Sequence, residues 1–266
     1  MSSMHEIEYE IHGDDMQFVD IILDPMEAVV AESGAMMYME EGLEMEAVFG
    51  DGSQQQTGFL NALIGAGKRL LTGESLFMTV FMNRAPRKSK VAFGAPYPGK
   101  IIPVKLSEMG GELICQKDAF LCAAKGVSIG IAFQKRIGVG LFGGEGFIMQ
   151  RLQGDGLAFI HASGTLMERI LAPGETLRVD TGCIVAYQST VDFDIQLVPG
   201  FKSKVFGGEG LFFATLRGPG RIWLQSLPLS RLADRIIAAS PAAGGKRRDE
   251  GSILGGIGGL LDGDNR

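Results

Sequence analysis

The sequence predicts an all-β protein made of three copies of one small module. Three observations carry the prediction: apolar and polar residues alternate with period two in short runs, Gly, Pro and Asp turns separate the runs, and the order of features recurs three times. Strict alternation is the pattern of a strand with one buried face.

Composition sets the bounds. The 266 residues include 39 glycines, about 15% where roughly 7% is usual. They are scattered, which fits many tight turns and excludes a collagen-like or disordered chain. With 45% hydrophobic and 21% charged residues, the chain has the balance of a globular protein that buries a sizeable core. A net charge of −6 and a pI of about 5.2 argue against nucleic acid as a general partner. No apolar run reaches the roughly 18 residues of a membrane span. The opening Met1-Ser2-Ser3-Met4-His5-Glu6 lacks the pattern of a signal peptide. Cys115, Cys122 and Cys183 are odd in number, show no C-x-x-C spacing and sit in apolar contexts such as Phe120-Leu121-Cys122-Ala123. They read as small buried hydrophobes in a reducing cytoplasm.

Each module is read in the same order. After Leu23 and Leu171 come the turn sequences Asp24-Pro25-Met26-Glu27 and Ala172-Pro173-Gly174-Glu175. Gly99 precedes Leu106 by seven residues, and Gly164 precedes Leu171 by seven. Gly34, Asp118 and Gly182 then lie nine residues before Leu43, Val127 and Val191, where alternating strands open. In the third copy Val191, Phe193, Ile195 and Leu197 alternate with Asp192, Asp194 and Gln196. The second copy sets Val127, Ile129, Ile131 and Phe133 against Ser128, Gly130 and Ala132, and the first sets Leu43, Met45, Ala47 and Phe49 against Glu44, Glu46 and Val48. Next comes a shared motif: Leu71-Thr72-Gly73-Glu74-Ser75-Leu76-Phe77, Phe142-Gly143-Gly144-Glu145-Gly146-Phe147-Ile148 and Phe206-Gly207-Gly208-Glu209-Gly210-Leu211-Phe212. A second apolar run follows, then a turn at Asn83–Arg87, Gly154–Gly156 or Gly218–Gly220, then a last strand.

The modules therefore occupy 1–98 (repeated features from 16), 99–163 and 164–228, each a sandwich or rolled sheet, and three of them suggest pseudo-threefold packing. The first carries 13 extra residues, since Gly34 to Gly73 is 39 residues where the other copies have 26. They form a polar loop, 52–58, and a helix over 59–71, with Phe59, Leu60, Leu63, Ile64 and Leu70 near helical spacing. Two readings are open for this insert: a lid over an open end of the module, or an apolar surface for a partner or membrane. Ser230 is placed to cap a C-terminal helix to Ala239, giving a helical segment over 229–239. Residues 240–266 read as a flexible glycine-rich tail whose apolar run, Ile253–Leu261, is too short to span a bilayer.

Motifs for chemistry are few. Gly138-Val139-Gly140-Leu141-Phe142-Gly143 spells G-x-G-x-x-G, but a β-type run follows it where a dinucleotide site needs a helix. Gly67-Lys68 is followed by Arg69, not the Ser or Thr of a P-loop. His5 and His12 lack a third ligand with recognisable spacing, and His161 reads as a strand residue. No catalytic residue, metal or cofactor is assigned. The residues singled out are the repeated pairs Gly73 and Glu74, Gly144 and Glu145, Gly208 and Glu209. The structural reading has each glutamate accepting hydrogen bonds from a turn that its glycine permits; the functional one gathers three carboxylates around a cation. Arg84, Arg87, Lys88 and Lys90, and Arg217 with Arg221, read as solvated turns.

The repeated Gly-Glu runs and the glycine-rich apolar tail resemble the altered-inheritance-of-mitochondria-24 family, over about residues 4–228. The resemblance implies a bacterial member with a fold like that of the trp RNA-binding attenuation protein, a short double-stranded β-helix repeated three times. Such folds tend to form rings, and the mitochondrial relatives are associated with inner-membrane organisation. No catalytic residue carries over, and fold analogy does not transfer the namesake's RNA or tryptophan binding. The expected role is a non-enzymatic scaffold that forms homo-oligomers and engages a protein or membrane-associated partner. The alternative is a small-ligand or RNA-binding module, and the third reading is an enzyme using Glu145, Glu209 or His161.

Overall fold

The computed structural model describes residues 7–49, 77–135, 147–197 and 212–239. The first segments form β1 (Glu8–His12), β2 (Phe18–Leu23), β3 (Ala28–Glu32), β4 (Met36–Met39), β5 (Leu43–Phe49), β6 (Phe77–Asn83) and β7 (Ser89–Gly94). Next come β8 (Gly99–Lys105), β9 (Glu112–Gln116), β10 (Phe120–Ala124), β11 (Ser128–Lys135), β12 (Phe147–Gln153) and β13 (Leu157–Ser163). The last strands are β14 (Leu166–Leu171), β15 (Thr176–Asp180), β16 (Ile184–Gln188), β17 (Asp192–Leu197), β18 (Phe212–Arg217) and β19 (Gly220–Gln225). The protein is all-β apart from short 3-10 turns and helix α1 (Leu229–Ala239), which starts one residue before the expected cap Ser230. The described residues up to 230 form one compact unit, and those from 231 to 239 belong to a second.

All strand pairs among the described residues are antiparallel, in four sheets. Sheet I runs β1-β2-β7-β4, sheet II β5-β6-β3-β10-β13-β8, sheet III β11-β12-β9-β16-β19-β14 and sheet IV β15-β18-β17. Three cores lie between successive sheets. Val19, Ile21, Val91 and Phe93 of sheet I meet Val29, Ala31, Phe81 and Phe159 of sheet II. Val30, Phe120, Ala158 and Ile160 of sheet II meet Cys115, Ile129, Leu152 and Trp223 of sheet III. Finally Phe147, Tyr187 and Ile222 of sheet III meet Val179, Ile195, Ala214 and Leu216 of sheet IV. Sheets II and III are thus covered on both faces, which is why β10, Phe-Leu-Cys-Ala-Ala, is buried throughout.

The predicted turns join the predicted strands. Asp24–Glu27 links β2 to β3 and Ala172–Glu175 links β14 to β15, with the same hydrogen bonds in both. The Asp24 amide donates to Glu27 Oε2 at 2.8 Å, and the Ala172 amide donates to Glu175 Oε2 at 2.8 Å. The third turn residue takes a left-handed backbone in each, Met26 at φ 70° and Gly174 at φ 77°. Glycine adopts that shape without a Cβ penalty and methionine does not.

Alternation works for β17, where Val191 and Ile195 are buried and Asp192 and Asp194 are exposed. It fails in β5: Leu43 is buried, but Met45 is 59% exposed and Val48 packs against the core between sheets II and III. Among the described residues β5 is a terminal strand with β6 as its one neighbour, and its pattern of burial breaks down along its length. The predicted solvated turns also contribute more than solvent contact. Lys88 and Lys90 reach across β2 to Glu8 and Glu10, and Arg221 lies within β19, paired with Glu168 and above the Trp223 ring.

Candidate functional site

The repeated pairs Gly73–Glu74, Gly144–Glu145 and Gly208–Glu209 lie outside the described residues, in the connections between β5 and β6, β11 and β12, and β17 and β18. The predicted 59–71 helix, Gly138–Gly143 and the 240–266 tail also lie outside them. What the structure does assemble is a polar network across the outward face of sheet I, ending at its terminal strand β4.

Strand pairing builds this network. Glu10 of β1 stands directly opposite Asp20 of β2, and β7 lies on the other side of β2. Two carboxylates at opposed positions repel unless a cation joins them. Lys90 Nζ supplies it, 3.1 Å from Glu10 and 3.8 Å from Asp20. His12 Nε2 lies 3.2 Å from the same Asp20 oxygen. From β4, the Tyr38 hydroxyl donates to Asp20 Oδ1 at 2.6 Å. Asp20 is therefore the hub, with its side chain only 7% exposed. Its hydrogen bond to the neutral phenol, with the nearby negative charge, pushes the Tyr38 hydroxyl up to about 12.

Glu10, His12 and Asp20 offer ligand atoms within 4.8 Å of one another. Lys90 already stands against both carboxylates, so a metal ion would have to displace an ammonium. The donor set thus fits an ion-pair network that fastens β4 to its sheet better than it fits a metal centre. His12 was visible in the sequence, but Glu10 and Asp20 join it through register across a hairpin and not through ligand spacing.

A second polar group lies near the junction of β3 and β10. Burial, reinforced by the charge of Asp118 and opposed by Lys117, pushes Glu32 up to about 7. The Tyr97 hydroxyl donates to the Asp118 carbonyl at 3.2 Å, and the ring of Tyr97 meets His161 edge-on at 4.7 Å. His161 sits in β13 as read from sequence; its Nε2 lies 3.1 Å from the Tyr97 carbonyl, and burial holds its imidazole below the ordinary range. A carboxyl that titrates near neutrality can exchange protons, but here it adjoins a packed strand junction. Cys115 and Cys122 are buried free thiols, both pushed up by burial, which makes them inert packing groups.

The third feature is β4 itself. Met36, Met37, Tyr38 and Met39 are 38%, 56%, 37% and 39% exposed, a continuous apolar strand at the end of sheet I. No helix among the described residues is long and apolar enough to cross a membrane.

Stacked antiparallel sheets, with an apolar strand ending sheet I among the described residues, define the class: an all-β protein. The chain belongs to the AIM24 family, described as mitochondrial biogenesis AIM24, whose model matches residues 9–227. It is 33% identical over 227 residues to an uncharacterised protein of Streptococcus pyogenes serotype M6, covering 83% of this chain and 86% of that one. A crystal structure of a Streptococcus pyogenes protein matches with a TM-score of 0.67 at 25% identity, over 87% of this chain and 98% of that one. Both relatives are bacterial, in keeping with a bacterial member of the family.

Proposed function

We propose that this protein is a non-enzymatic assembly scaffold that forms homo-oligomers and presents a surface to a protein or membrane-associated partner. The exposed apolar strand β4 carries this reading: among the described residues it ends its sheet, and unpaired backbone beside apolar side chains is a template for strand addition. The scaffold is read as three sandwich modules of the short double-stranded β-helix type. In support, four pairings recur: β2·β7, β4·β7, β3·β6 and β5·β6 correspond to β8·β13, β10·β13, β9·β12 and β11·β12, and again to β14·β19, β16·β19, β15·β18 and β17·β18. The 59–71 insert and the 253–261 run are assigned to the outside partner.

Native mass spectrometry of the full chain tests the reading. A discrete oligomer is the expected result; a monomer at every concentration overturns it. Deleting 59–71 and 253–261 in turn and measuring flotation with anionic vesicles tests the partner surface. Unchanged flotation in both deletions removes the membrane part.

A further inference from the structure

This inference rests on the assembly reading and names its contact. We propose that β15 of one copy pairs with β4 of a second copy, joining sheet IV of the first to sheet I of the second as one continuous sheet.

Sheets II and III show what is missing. Each has six strands in matching order, with its central junction made by β3·β10 or β9·β16. Sheet IV, read β17-β18-β15, is the first half of that order. Sheet I, read β4-β7-β2, is the second half, with β1 added beyond it. The junction that neither half makes is β15·β4.

The register follows from the two junctions already formed. Each strand on the acceptor side carries one irregularity, between Phe120 and Cys122, Ile184 and Ala186, or Met36 and Tyr38. Tyr38 therefore stands where Cys122 and Ala186 stand. On the donor side, Ala31, Cys115 and Val179 face Thr79, Gln150 and Ala214 on the adjoining strands, the same position in each. Cys122 pairs with Ala31, Ala186 with Cys115, and the next two residues continue each ladder. The same rule sets Tyr38 opposite Val179, Met39 opposite Arg178 and Glu40 opposite Leu177.

A second copy is the occupant because one chain leaves this junction unmade among the described residues. Sheet I packs on II, II on III and III on IV, through three separate cores. Among the described residues β4 ends sheet I and β15 ends sheet IV, and the two do not pair within one chain. The composition of β4 agrees. The other terminal strands carry charge or proline: Glu8 and Glu10 on β1, Glu44 and Glu46 on β5, Pro103 on β8, Lys135 on β11, Glu168 and Arg169 on β14, Asp192 and Asp194 on β17. Those are the residues that discourage edge pairing. On β4, Met-Met-Tyr-Met has none; β15, Thr-Leu-Arg-Val-Asp, carries Arg178 and Asp180, and its Arg178 falls opposite the uncharged Met39.

The test mixes two full-length proteins, one carrying Met39→Cys and the other Arg178→Cys, both with Cys183→Ser. Both positions are exposed, so folding is not at stake, and opposed residues in an antiparallel pair lie within disulfide reach. Under mild oxidation the mixture is expected to give a crosslink between the two proteins that neither gives alone, and Met39→Lys is expected to shift the native mass to smaller species. A crosslink in the Met39→Cys protein alone means two β4 edges meet and overturns the proposal. So does an intramolecular bridge when both substitutions share one chain, since that means the edges close on themselves. An intact oligomer with no crosslink overturns this contact and leaves the scaffold reading standing, whereas a monomer overturns both.

Discussion

Replacing Glu32 by Gln should raise the stability of the protein at neutral pH and flatten its pH dependence. Glu32 ends β3 beside the junction with β10, and burial with the charge of Asp118 lifts its carboxyl from 4.5 to about 7. A carboxyl whose folded pKa is raised stabilises the fold below its unfolded pKa, and that contribution is lost as pH rises through the folded value. The native state should therefore weaken between about pH 4.5 and 7 through this one group. At about 1.4 kcal/mol for each pH unit, the contribution lost is roughly 3 kcal/mol. The chain contains its own control: the matching position at the end of β9 is the neutral Gln116, buried at 7% exposure. Urea unfolding of wild type and Glu32→Gln at half-unit steps from pH 4.5 to 8 measures the difference. The two curves should lie close together at the acid end and diverge as pH rises, with the variant more stable. Parallel curves would show that Glu32 ionises as it does in the unfolded chain, and the burial argument would fail.

Three further outcomes are expected. Asp20→Asn removes the charge shared by Tyr38, His12 and Lys90, which should cost about 1–3 kcal/mol in urea unfolding; alkaline absorbance titration should then find Tyr38 falling from about 12 toward an ordinary phenol. Gly174→Met should cost about 1 kcal/mol and Met26→Gly should not, because both positions hold a left-handed backbone; melting curves of opposite or equal sign would refute that account of the turn. Phe159→Ala, which empties a fully buried ring from the core between sheets I and II, should lower stability by about 3–5 kcal/mol.

Local chemistry was legible and long-range pairing was not. The turn at Asp24–Glu27 could be read because Pro25 and the acidic ends favour a bend wherever they occur, and β17 because Asp192 and Asp194 face water. Strand β10 shows no alternation, since sheet II is covered on both sides, and only the repeated spacing gave it a place. Nothing local says that Glu10 will stand opposite Asp20 with Lys90 between them, because that depends on the order β1-β2-β7. Glu32 is hidden for the same reason. Its burial and the charge of Asp118 arise where β3 meets β10, 92 residues further along the chain by the start of each strand.

The two terminal strands β4 and β15 differ, and that difference sets the kind of assembly they can make. A two-fold dimer joins a surface to itself, but β4 and β15 are acceptor and donor sides of one junction, so each contact leaves one unused β4 and one unused β15 at the ends of the growing assembly. Such a heterologous contact either closes into a ring or continues as a filament. Closure pairs every β4 with a β15, which would leave no exposed Met-Met-Tyr-Met edge to recruit further chains. The network of Lys90, Asp20 and Tyr38 bears on that choice, since it ties β4 to β7 and β2 and fixes the angle at which the edge is offered. A rigid edge gives the same angle at every contact, and repeated equal angles favour a closed ring of one size over a mixture. Loosening the network through Asp20→Asn should therefore broaden the distribution of native masses even where each contact still forms.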